Sequence, residues 1–173
     1  MEDIRTIHIG SDHAGFELKN QIILFLEQKH YEVIDYGAYE YDPDDDFPDF
    51  ILPVAIAVAE DKNSRGIILG GSGQGEAMVA NRVQGIRATV FYGEPTMSDE
   101  SIINLSRQHN DANILSIGAR FVTEEEALEA IDMWLETSFS QEPRHIRRIE
   151  KIDEIDASVQ EVMEENIEEQ LES

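Results

Sequence analysis

The sequence predicts a doubly wound α/β fold: five parallel strands covered by helices on both faces, followed by a helical tail. Two observations carry this. Short β-like runs alternate with helix-like stretches through most of the chain, the order that builds a parallel sheet. The clearest of those runs, Gly66-Ile67-Ile68-Leu69, is apolar on both sides, as a strand covered on each face must be.

The elements follow in order. Thr6-Ile7-His8-Ile9-Gly10 reads as a buried strand that ends in the turn Ser11-Asp12-His13-Ala14-Gly15. Phe16 to Glu27 has helical spacing, with Phe16, Ile23, Leu24 and Phe25 among its apolar positions. Tyr31 to Gly37 is the second strand. An acidic, proline-containing loop then runs from Glu40 to Asp49, and a helix from about Phe50 to Ala59. Gly66–Leu69 is the third strand, Arg87–Tyr92 the fourth and Asn113–Ile117 the fifth, each followed by a helical pattern. Ligands of such folds bind beyond the carboxyl ends of the strands. That rule directs attention to Ser11–Gly15, to Gly70–Glu76 and to the segment near His109.

The length of 173 residues fits one domain, residues 1–149, with a tail over 150–173. From Glu150 to Ser173 there are ten acidic residues and one lysine, and Ile152, Ile155, Val159, Val162, Met163, Ile167 and Leu171 recur at helical spacing. An acidic helix laid against the body or a partner subunit accounts for that pattern. The hydrophobic fraction is 41%, mean hydropathy is −0.37, and no apolar run approaches the ~20 residues of a membrane helix. The N-terminus Met1-Glu2-Asp3-Ile4-Arg5 lacks the basic-then-apolar order of a signal peptide. A cytoplasmic protein is expected.

Cysteine is absent, which removes disulfides, thiolate nucleophiles and cysteine metal sites. Thirty-seven acidic against 13 basic residues give a net charge of −24. A field of that sign repels nucleic acid and anionic membranes, and it makes any cluster of arginines conspicuous.

Four segments have the residues for chemistry. Gly70-Gly71-Ser72-Gly73-Gln74-Gly75-Glu76 follows an apolar strand directly; its glycines let backbone N–H groups converge on an anion or oxyanion, and a helix starting near Glu76 would add positive potential. A plain strand-to-helix turn has the same spacing. Neither G-x-G-x-x-G nor a P-loop is present, which argues against a nucleotide-binding module. Asp12-His13 closes the first strand; helix capping explains Asp12 but not His13. Arg107-Gln108-His109-Asn110-Asp111-Ala112-Asn113 is a polar cluster before the fifth strand. Arg144-His145-Ile146-Arg147-Arg148, with Arg120 upstream, concentrates positive charge either as an anion clamp or as a helix end paired with the tail. Neither a Ser-His-Asp order nor a metal-ligand spacing is found.

Together these segments resemble ribose-5-phosphate isomerase B, within the group that includes galactose-6-phosphate isomerase subunits. The resemblance rests on Gly10–Lys19, Phe47-Pro48-Asp49-Phe50, Gly70–Glu76 with Ala80-Asn81-Arg82, His109–Asn113, Gly118-Ala119-Arg120 and Arg144–Arg148, in family order from about residue 6 to 152. It implies a Rossmann-like fold, a homodimer or dimer of dimers with shared active sites, and an aldose–ketose isomerase of the pentose phosphate pathway. By the same resemblance, Asp12 and His13 contact the sugar phosphate and Gly71, Ser72, Gly73, Gln74 and Gly75 form the anion-holding loop. His109 opens the furanose ring, Asn110 contacts substrate, and Arg120, Arg144 and Arg148 hold the phosphate, some from the partner subunit. Many members place a cysteine base where Gly70 stands; a second subgroup has a glutamate after the loop, as Glu76 is here. Glu94-Pro95-Thr96 lengthens the region between Tyr92 and Ser106.

Isomerisation passes a proton between C1 and C2 through an enediolate and needs a base, with donors for the oxyanion. Glu76 is the expected base, Ser72 and the loop N–H groups the expected donors, and Asp12 a partner for the anomeric hydroxyl. No metal or organic cofactor is required by that route. The rival readings are a six-carbon substrate, such as allose or galactose 6-phosphate, and a catalytically silent sugar-phosphate binder.

Overall fold

The computed structural model describes residues 4–93, 101–155 and 158. The chain divides into two compact units, Met1–Phe139 and Ser140–Ser173. The boundary expected after residue 149 falls within the second. The insertion at Glu94–Thr96 and most of the tail, from residue 159, lie outside the described residues.

In the first unit strands and helices alternate: β1 (Thr6–Ser11), α1 (Phe16–Gln28), β2 (Glu32–Asp35), α2 (Phe47–Glu60), β3 (Ser64–Gly70), α3 (Gln74–Ala80), β4 (Ala88–Phe91), α4 (Ile102–Asn110), β5 (Ile114–Gly118) and α5 (Glu124–Glu136). The five strands form one sheet in the order β2-β1-β3-β5-β4, and every pairing is parallel. The order reverses between β1 and β3, which opens a crevice at their carboxyl ends.

Successive side chains of a strand face opposite sides, and β3 supplies both cores. Ile67 and Leu69 join Ile22 and Leu26 of α1, Ile103 of α4, and Ala130, Ile131 and Trp134 of α5. Ile68 joins Ile51, Val54, Ala55 and Val58 of α2 with Ala80 of α3 on the other face. All seven residues of β3 are buried, as its apolar run requires. On α1 the inward positions are Ile22, Leu26 and Lys19, whereas Leu24 is 52% exposed. Lys19 is tolerated there because its Nζ donates to both carboxylate oxygens of Asp35 (2.6 and 2.7 Å) and to the Ala38 carbonyl (2.9 Å). That contact ties α1 to the exit of β2.

Two boundaries differ from the sequence expectation. β2 ends at Asp35 because the chain turns at Gly37, where φ is +100°, and α2 starts at Phe47 rather than Phe50, carrying Pro48 in its first turn. Proline lacks only a donor that this turn does not use. The second unit has helical backbone over 143–155. Its His145 Nδ1 lies 2.8 Å from Ser140 Oγ, and its Arg144 pairs with Glu142 in an exposed contact. No helix among the described residues is long and apolar enough to cross a membrane.

Candidate active site

The glycine loop is shaped by close contact with the end of β5. Gly73 caps α3 at φ +74°, a conformation that costs an L-residue ~1–2 kcal/mol, and a Cβ there would lie 3.1 Å from Gly118 N. Ser116 Oγ donates to the Gly73 carbonyl (2.6 Å). Ala119 and Arg120 N–H donate to the Gly70 and Gly71 carbonyls (2.9 and 3.2 Å). The Arg120 guanidinium approaches to 3.4 Å from where a Gly71 Cβ would be, so the phosphate-ligand candidate lies across the loop. Ser72 Oγ accepts from Gln74 N–H (3.3 Å), which leaves the hydroxyl proton to donate elsewhere.

Glu76 lies in the first turn of α3 and is only 4% exposed. Its carboxylate fills the space beside Gly70: a Cβ at position 70 would fall 1.8 Å from Oε1 and 2.1 Å from Cδ. Burial raises the Glu76 pKa above the ordinary glutamate value; a hydrogen bond from its own backbone opposes this, and the charge of Asp12 adds to the rise. Asp12 is also buried, and its Oδ1 accepts from Ala14 N–H (2.9 Å) and Gly15 N–H (3.2 Å), so it folds the turn that begins α1. Glu76, Ser72 and Asp12 therefore stand on the segments that leave the carboxyl ends of β1 and β3, and the Glu76 carboxyl group among them is buried with a raised pKa.

His13 stands beside them, held by a residue that sequence reasoning missed. Asp45 Oδ1 is 2.6 Å from His13 Nδ1 and 3.2 Å from its backbone nitrogen. That hydrogen bond raises the His13 pKa above the usual histidine value; partial burial opposes it, the Asp12 charge adds to it, and Arg120 opposes it. Asp12, His13 and Asp45 offer ligand atoms within 4.8 Å of one another. The 2.6 Å separation of His13 Nδ1 and Asp45 Oδ1 is, however, that of a hydrogen bond. Neighbouring ligands of an ion with bonds of about 2.0–2.1 Å stand roughly 3 Å apart or more.

The other expected residues lie elsewhere. His109 and Asn110 end α4, at the amino edge of β5, beside Arg87, whose Nε donates to the Asn110 carbonyl (2.9 Å). The expectation that this segment sits at the carboxyl edge is corrected: what precedes a parallel strand must lie at its start. The length of β5, on the order of 16 Å at ~3.3 Å per residue, separates it from Glu76. Asp111 fixes the segment, accepting from Arg107 (2.7 Å) and Arg87 (2.9 Å). Arg144 and Arg148 are exposed residues of the second unit.

Comparison with known proteins agrees with this architecture. The Ribose/Galactose Isomerase family profile matches residues 7–152. A ribose-5-phosphate isomerase B of Mycolicibacterium paratuberculosis is 44% identical over 154 residues, covering 89% of this chain and 93% of the relative. The solved ribose-5-phosphate isomerase B of Clostridium thermocellum superposes with a TM-score of 0.79 at 43% identity, over 89% of this chain and 99% of that one. That of Mycoplasma genitalium, which contains bound ribulose 5-phosphate, superposes at 0.81 with 37% identity, over 88% and 96% of the two chains. On sequence and fold alike, the chain belongs to the ribose/galactose isomerase family.

Proposed function

We propose that the protein interconverts ribose 5-phosphate and ribulose 5-phosphate, with Glu76 as the proton-transfer base. The observation that carries this is the buried Glu76 carboxyl group, its pKa raised, in the slot that Gly70 leaves open. A related structure containing ribulose 5-phosphate supports the choice of sugar.

In this mechanism Glu76 removes a proton from C2 of the open-chain aldose and returns it to C1. The Ser72 hydroxyl and the backbone N–H groups of Gly71–Gly75 receive the enediolate oxygen; one such donor is worth ~3 kcal/mol in the transition state. Asp12 orients the anomeric hydroxyl. His13 and Arg120 bind the phosphate end of the substrate. His109 protonates the ring oxygen as the furanose opens, and Asn110 contacts the sugar.

A single chain holds His109 and Glu76 at opposite edges of its sheet. The reading therefore includes a homodimer in which His109, Asn110 and the phosphate ligands Arg144 and Arg148 reach the pocket of the partner. A closed two-fold pair would make two equal sites. The proton transfers between side chain and sugar require no metal or organic cofactor, and the place of work is the cytoplasm.

The test is ribulose 5-phosphate formation from ribose 5-phosphate in the presence of EDTA. Turnover is expected from the native protein, and a loss of at least ~10³-fold in kcat from Glu76→Gln, with KM changed little. A Glu76→Gln enzyme that keeps most of its kcat removes this base. A native protein active only on six-carbon sugar phosphates keeps the chemistry and changes the substrate.

A further inference from the structure

The geometry points to Asp45 as a positioning residue for the phosphate-binding end of the pocket: it fixes the His13 ring by Nδ1 and turns the Nε2 edge away as a donor for an anionic substituent. The inference rests on the reading of this pocket as a site for a phosphate monoester.

Two donors of one residue meet one oxygen. Asp45 Oδ1 accepts from the His13 backbone N–H at 3.2 Å and faces Nδ1 at 2.6 Å, so both the loop and the ring are fixed by a single carboxylate. The Asp45 side chain is 8% exposed against 22% for His13, and a contact sheltered from water is electrostatically stronger than an exposed one. Asp45 is itself held by its own turn. Asp44 N–H donates to Asp42 Oδ1 (3.0 Å) and Asp45 N–H to the Asp42 carbonyl (3.2 Å). The loop from Glu40 to Asp46 thereby carries one carboxylate across to the end of β1.

The chemistry follows from the tautomer. With Nδ1–H committed to a carboxylate, the second proton of the ring resides on Nε2, and the ring is then a cation with a directed donor. The groups around it are Asp12 and Asp45, which favour the charged ring, and Arg120, which disfavours it; the Tyr41 ring packs edge-on with centroids 6.1 Å apart. A chain of net charge −24 has few cations to offer a phosphate dianion. A histidine kept charged beside Arg120 adds one without adding a basic residue.

Asp45→Asn keeps the shape and both acceptor contacts but removes the charge. The KM for ribose 5-phosphate is expected to rise roughly tenfold or more at pH 8, the scale of one charge-assisted hydrogen bond, and to converge on the native value near pH 5.5, where an ordinary histidine is protonated. The second ionisation of the phosphate affects both enzymes equally. kcat is expected to stay near native, and Asp45→Glu to recover most of the affinity. Parallel KM–pH curves for native and Asp45→Asn enzymes overturn the inference.

A second measurement is independent of the substrate. In nitrogen–proton NMR of the unliganded protein, His13 should show an Nδ1-protonated ring whose titration moves to lower pH in Asp45→Asn, and inorganic phosphate should bind the variant more weakly at pH 8 only. A neutral His13 protonated at Nε2 in the native protein overturns the inference even if turnover is confirmed. Failure of turnover with the expected NMR behaviour would count against the substrate and leave the Asp45–His13 pairing standing.

Discussion

A Cβ at position 70 would lie 1.8 Å from Glu76 Oε1, so the two residues share one volume. The nearest neighbour is the end of a flexible side chain, and a substitution would displace the carboxylate rather than the backbone. Gly70→Ala is expected to fold normally and to lose about 10²-fold in kcat, since a displacement of ~1 Å at a reacting group has that cost; steady-state kinetics should show KM nearly unchanged. Full activity in Gly70→Ala would mean that Glu76 reacts from some other position. The sequence identified Glu76 and Gly70 separately, and the resemblance placed a cysteine base at position 70 in many relatives. That the glutamate carboxylate occupies the space a side chain at 70 would need is a fact of three dimensions. Asp45 was hidden for a different reason. It lies in the run Asp42-Pro43-Asp44-Asp45-Asp46, which reads as a solvated loop, and its contact spans 32 residues of sequence.

At the scale of elements, the inner strands β1, β3 and β5 were legible because burial on both faces leaves a largely apolar run, and the helices because each follows a strand with a change of period. The ends were less so. Pro48 read as a loop marker although it lies in the first turn of α2, and Tyr36 and Gly37 read as strand although the chain turns there. The largest element-scale error concerned direction: the 107–113 segment is chemically rich but precedes β5, which commits it to the far edge of the sheet. The proposed homodimer with shared sites gives this placement a sharp consequence. Glu76→Gln and His109→Ala proteins should each be nearly inactive. Mixed one to one and allowed to exchange subunits, they should recover about a quarter of native activity, because half of the dimers are mixed and each of those has one intact site. No recovery after proven exchange would place both groups in the same subunit's site or remove His109 from the reaction.

For the whole molecule, the buried Glu76 carboxyl group links the proposed catalysis to the stability of the fold. The folded protein holds the Glu76 proton more tightly than the unfolded chain does, because burial raises its pKa. The stability from this group is fully present below the ordinary glutamate value of 4.5 and is lost as pH rises through the raised one. His8, buried in β1 against Tyr36, has the opposite sign: burial lowers its pKa, so its contribution is present above 6.5 and lost as pH falls through the depressed value. Ionisation of Glu76, as pH rises through the raised value, therefore works against the native state. Glu76→Gln should melt at a higher temperature than the native protein near pH 7–8, each ~1 kcal/mol relieved raising Tm by about 2–4 °C for a chain of this size. The gap should close on acidification, and an equal or lower Tm at neutral pH would contradict it. With Glu76 as the proposed base, selection for heat resistance alone would erode activity at that position, and the glutamate would persist only while turnover is demanded of it.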